Sequence, residues 1–178
     1  SVMANLETTI SMDAELSTSK ARDAGCIFWD FSGVDGLQAA IALFTPAISH
    51  IAPFQSLTTT FATQPCSVLR LCENNFRVAF CKQVAFEAAI AALNLKVWSR
   101  SYSAATLVVP TDFGLERLPK VGETKPVYTL EPFPCDRAVP ARIDGVAILA
   151  WHHLWDGQPT LHIQTSAANA EIVIQAFS

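Results

Sequence analysis

The alternation of hydrophobic and polar positions divides the chain into a polar lead-in and a series of short apolar runs. Residues 1–24 carry many Ser, Thr, Ala and acidic residues and few large apolar ones, so they read as an N-terminal arm. After them Ile27, Trp29 and Phe31 alternate with Phe28 and Asp30, the period of a strand, and Gly33, Asp35 and Gly36 mark a turn. Residues 37–64 are irregular, with short helical stretches; Phe54, Leu57 and Phe61 follow Pro53 at i, i+3 and i+7, which predicts a short helix there. From Cys66 onward eight runs rich in β-branched and aromatic residues predict strands at 67–72, 76–81, 93–99, 105–110, 126–131, 146–151, 160–166 and 171–177. Turn-forming stretches at 73–75, 111–114, 121–126, 142–145, 155–159 and 166–170 separate most of them. The Ala-rich segment 83–93 has Phe86, Ile90 and Leu93 at helical spacing and is left open between an inserted helix and a strand.

This pattern predicts an all-β chain: an antiparallel β-sandwich with one or two short helices, the arm at 1–24 and a single domain over 25–178. In the last run, strict alternation puts Ile172, Ile174 and Ala176 on one face and Val173 and Phe177 on the other. Both faces are then apolar, so this strand is expected to be central in its sheet or covered by a neighbour.

Composition adds a reason to expect neighbours. Of 178 residues, 51% are hydrophobic and only 16% charged, against about a quarter charged in ordinary domains. Such a surface suits a chain covered by other subunits; the alternative is a well-buried monomer with a neutral polar shell. The net charge is −4, and the first 25 residues hold only Lys20 and Arg22 as cations. Contact with RNA is therefore expected to be weak or indirect. No apolar run reaches the ~18 residues of a bilayer span, so no membrane partner is expected. Cys26, Cys66, Cys72, Cys81 and Cys135 are odd in number and irregular in spacing. They read as free, buried thiols in a reducing compartment rather than a disulfide framework.

The sharpest chemical signal is His152-His153-Leu154-Trp155-Asp156-Gly157. It resembles the HxxxDG signature of acyltransferases related to chloramphenicol acetyltransferase and to peptide-synthetase condensation domains. That resemblance implies His152 as general base and Asp156 in a structural role. The competing reading is a strand ending in an Asp-Gly turn. Adjacent histidines on a strand point to opposite faces, so only one of His152 and His153 can join His162 in a metal site. Asp112-Phe113-Gly114 spells a kinase triplet without the other kinase elements. Cys135 lacks a base that the sequence selects among His50, His152, His153 and His162. No residue is assigned as catalytic, cofactor-binding or metal-ligating, and no cofactor is implied.

The order of features resembles the jelly-roll capsid subunits of picorna-like viruses. The residues that carry this are Ala24-Gly25-Cys26-Ile27-Phe28-Trp29 as a first strand and Pro53–Phe61 as a helix leading into Ser67-Val68-Leu69-Arg70-Leu71. Thr106-Leu107-Val108-Val109-Pro110 matches a strand that ends at proline, and Leu161–Thr165 with Glu171–Phe177 match two closing strands. Size, Ser1 and acidic balance are similar to the small coat proteins of plant secovirids of cheravirus type. The resemblance implies a jelly roll, processing from a polyprotein and packing with sister capsid subunits into an icosahedral shell around RNA. It also implies a location in the virion, and in the host cytoplasm during assembly. The other readings are the acyltransferase and a cellular β-sandwich that binds a ligand or partner.

Overall fold

A computed structural model describes residues 9–11, 20–21 and 27–178. Most of the expected arm, and Cys26, lie outside the described residues. The chain is mostly antiparallel β-sheet with a few short helices, and its contacts cluster into two compact units. Unit 1 comprises residues 1–24, 103–153 and 159–178; unit 2 comprises residues 25–102 and 154–158.

Unit 2 holds β3 (Ile27–Ser32), α1 (Gly36–Leu43), a 3-10 turn (Pro46–His50), β4 (Ser56–Phe61), β5 (Gln64–Cys72), β6 (Asn75–Phe80), α2 (Phe86–Ala92) and β7 (Trp98–Ser101). Its five strands run in the order β4-β5-β6-β3-β7. One face carries Phe31, Phe76, Val78 and Phe80, packed with Ala39 and Ala40 of α1 and with Phe86 and Ile90 of α2. The Phe86 ring meets those of Phe31, Phe61 and Phe80 at centroid distances of 5.6, 5.7 and 5.4 Å. The Ala-rich segment is thus a helix whose Phe86 and Ile90 face inward. By contrast, the expected helix at 53–61 is the strand β4. Its Thr58, Thr59 and Thr60 favour extended backbone, and its pairing with β5 closes at Phe61↔Gln64 around Ala62 and Thr63, both at positive φ.

Unit 1 holds β1 (Thr9–Ser11), β2 (Lys20–Ala21), β8 (Ala105–Val109), α3 (Thr111–Val121), β9 (Gly122–Glu123), β10 (Arg137–Ile143), β11 (Val146–Trp155, whose end is counted with unit 2), β12 (Gln158–Thr165) and α4 (Ala170–Ala176). The sheet order is β2-β1-β8-β12-β11-β10-β9, antiparallel except for the β1–β8 pair. Leu107, Ile143, Ile148, Leu161 and Ile163 on one sheet face pack with Leu118 of α3 and with Val173 and Phe177 at the end of the chain. The turns at Asp144-Gly145 and Asp156-Gly157 have both residues at positive φ, the geometry of two-residue hairpins.

Three further local elements differ from expectation, and so does the strand order. The final segment is the helix α4, not a strand: Ala170, Val173 and Phe177 are buried at i, i+3 and i+7, while Ile172 is 41% exposed. The apolar residues that alternation spread over two faces fall largely on one helical stripe. The expected turn at 111–114 opens α3, where Gly114 packs so closely that a Cβ would lie 2.6 Å from Leu161 Cδ2. The expected strand at 126–131 is a loop, with Val127 at φ 80°. A jelly roll deals successive strands between two sheets; here β4, β5 and β6 lie side by side in one sheet and β10, β11 and β12 in the other. Meanders therefore stand where the resemblance implied a jelly-roll alternation.

Candidate functional site

The histidines singled out in the sequence sit on β11 and β12 in unit 1, and successive residues of β11 point to opposite faces. On one side His152 Nδ1 lies 2.9 Å from the Phe133 carbonyl oxygen, to which it donates. On the other side His153 Nε2 lies 2.8 Å from His162 Nδ1, one imidazole donating and the other accepting. Trp151 stacks on His153 with ring centroids 3.8 Å apart. Trp151, His153 and His162 are all fully buried. Burial holds the His162 pKa down at about 3 from an ordinary 6.5, because desolvation disfavours the charged imidazolium. The arrangement is a buried imidazole pair that brings no reacting group to a surface.

The acyltransferase geometry is not assembled. Asp156 occupies a hairpin turn at φ 54°, β11 continues through His152 and His153 to Trp155, and Gly157 leads into β12. The expected strand ending in an Asp-Gly turn is what the chain forms. As expected from strand geometry, only His153 of the adjacent pair meets His162. Among the described residues no group of three or more His, Cys, Asp and Glu gathers as metal ligands.

The remaining candidates are scattered. His50 is exposed at the end of the 3-10 turn in unit 2, and the kinase-like triplet is simply the first turn of α3. Cys66, Cys72, Cys81 and Cys135 are free thiols, but only Cys66 is buried, while Cys72 and Cys135 are exposed. Burial pushes the Cys66 thiol up to about 12, and partial burial with a nearby carboxylate raises Cys81, beside Asp156, and Cys135, beside Asp136. Thiols shifted in that direction are poor nucleophiles at neutral pH.

Two surfaces have the shape and chemistry of binding sites, and sequence reading missed both. In unit 2 the second face of the sheet carries Asp30 joined to Arg77 by contacts of 2.7 and 2.9 Å, with the Arg77 guanidinium 3.7 Å above the Tyr102 ring. Beside this pair Asp30, Ser32, Asn75, Trp98 and Arg100 line a depression of about 200 Å³. Trp98 belongs to β7, the last strand of its sheet, and is 64% exposed. In the sequence Trp98 read as one more apolar strand residue.

In unit 1 an open pocket of about 420 Å³ is lined by Glu123, Lys125, Tyr128, Pro140, Arg142 and Ala147, among others. Its floor is the face of β10 and β11 opposite the core, where Arg142 pairs with Ala147 across the strands. Its wall is the loop after β9. These residues fell in a stretch read as turn followed by strand, so no signal of a pocket was visible.

The sequence matches no protein-family model, and no curated protein. Solved structures do match in fold. The glycine cleavage system aminomethyltransferase T of Bartonella henselae superposes with a TM-score of 0.63 at 10% identity, over 99% of this chain and 48% of that one. This chain thus spans about half the length of that aminomethyltransferase. A chain of the heterotetrameric sarcosine oxidase of Corynebacterium sp. U-96 superposes with a TM-score of 0.58 at 18% identity, over 86% of this chain and 78% of that one. These likenesses overturn the capsid reading, and with it the shell-forming function and the virion location: the short-strand pattern that resembled a coat protein belongs to a fold that metabolic enzymes use.

Proposed function

We propose that this chain is a non-catalytic subunit of a heteromeric enzyme acting on aminomethyl or N-methylated amino compounds, and that it docks on its partner chain through the β7 edge. The observation that carries the reading is Trp98, 64% exposed on the terminal strand of its sheet beside Arg100. Tryptophan and arginine are the residues most enriched at the energetic centres of interfaces, and an edge strand offers unpaired backbone groups to a neighbour. The fold shared with a chain of a heterotetrameric sarcosine oxidase supports a subunit role, and the likeness to an aminomethyltransferase supports the substrate class. The raised thiols and the inward-facing histidine pair support a role without chemistry of its own.

The test is purification of the tagged chain from its native cells, followed by assay of the eluate with sarcosine and with aminomethyl donors. The expected result is a stoichiometric complex that turns over one of them, and loss of the complex in Trp98→Ser with the melting temperature of the chain unchanged. A chain that elutes alone and turns over substrate unaided defeats the reading.

A further inference from the structure

We infer that the pocket of unit 1 is a binding site for a small amphipathic monocarboxylate, an anion with an apolar body. Its residues explain each part of that description. Arg142 and Lys125 supply two cations against the single carboxylate of Glu123, leaving one net positive charge on the lining. One carboxylate balances that charge, whereas a polyphosphate would be repelled by Glu123. Pro140, Ala147 and Tyr128 supply apolar surface for the body of the ligand.

The site is held in shape before any ligand arrives. Arg142 Nη1 donates to the Gly145 carbonyl at 2.9 Å, which fixes the guanidinium over the hairpin turn. The wall is a closed turn, in which Tyr128 N donates to Lys125 O and Thr124 Oγ1 donates to Tyr128 O, both at 3.1 Å. Glu123 pairs with Arg142 in the β9–β10 register, so the wall starts from the floor. Preorganisation of this kind lowers the ordering cost of binding. A guanidinium suits a carboxylate because its N–H groups form a planar fork. The volume of about 420 Å³ falls within the range of small-molecule sites. All the lining residues lie in unit 1.

The experiment is titration of the full chain with benzoate, followed by amide NMR, with benzamide and inorganic phosphate as controls. The expected result is a dissociation constant on the order of 1 mM for benzoate, as befits a fragment of few atoms. Shifts should be confined to residues 123–128, 140–142 and 147–148, and both controls should bind at least about fivefold more weakly. Arg142→Gln and Lys125→Ala should each weaken benzoate by about fivefold or more, the loss of one charge-assisted contact. Lys125 is exposed on a loop, so its variant reports on binding even where Arg142→Gln disturbs the hairpin. Equal binding of benzoate and benzamide, tighter binding of phosphate, shifts centred elsewhere, or no shift up to about 20 mM benzoate would each overturn the assignment.

Discussion

Acidification should destabilise unit 1 through His162. This imidazole is fully buried and stays neutral in the folded protein until about pH 3. In the unfolded chain it takes up a proton near pH 6.5. Between those values the unfolded state holds one more proton than the folded state, so stability falls as pH falls. Above pH 6.5 the contribution is complete. Below it the loss approaches about 1.4 kcal/mol per pH unit, reaching about 2 kcal/mol at pH 5. The value at pH 5 requires only that the folded pKa lie well below 5. The assay is urea unfolding of the wild type and of His162→Gln at pH 7.5, 6 and 5, read from amide signals of β12. The variant should be less stable at pH 7.5 because the 2.8 Å contact with His153 is altered. The gap should then close by about 2 kcal/mol by pH 5, since the variant has no imidazole at 162 to take up a proton on unfolding. A constant gap, or an imidazole resonance of His162 that titrates near pH 6.5, would refute the reasoning.

Two further predictions concern the backbone of unit 2. Gly36→Ala places a Cβ 2.1 Å from the Asn74 carbonyl oxygen, a backbone atom that cannot step aside, and Asn74 Oδ1 also accepts the Leu37 N–H at 2.9 Å. The substitution should cost about 1–3 kcal/mol in thermal or urea melting, and a neutral result would show that the approach of α1 to the β5–β6 turn is looser than described. Thr63 holds φ 64° in the two-residue turn between β4 and β5, where a β-branched residue is strained. Thr63→Gly should therefore raise stability by up to about 1 kcal/mol, and a lowered melting temperature would count against that turn geometry.

The sequence by itself determined the local elements whose signals are carried within a few residues. Asp144-Gly145 and Asp156-Gly157 take positive φ at little cost, so both turns were legible before any packing was known, whereas the strand at 137–143 that leads into the first of them was not. The alternation at 27–31 and the apolar runs at 67–72, 76–81, 105–110, 146–151 and 160–166 each overlap an observed strand, because β-branched and aromatic residues crowd into them. Also legible was the rule that only one of His152 and His153 can share a side with His162; that it is His153 was decided by the register of β11 and β12. Tertiary structure decided the cases in which two periods fit the same residues. Seven residues at 171–177 satisfy both alternation and a helical stripe, and the helix prevails because it directs Val173 and Phe177 onto the core of unit 1. Gly114 reads locally as a turn, yet it opens a helix, because only a residue without a side chain lets α3 approach Leu161 and Val109 so closely. The order of strands lay beyond local signals altogether, since a meander and a jelly roll are built from the same short runs and differ only in which edges meet. The same holds for the pocket: Lys125 and Arg142 are separated by a long loop and most of β10, and only the β9–β10 pairing brings them to one lining. Contacts between residues distant in the chain are set by the burial of whole faces, and that is a property of the assembled sheet rather than of any segment within it.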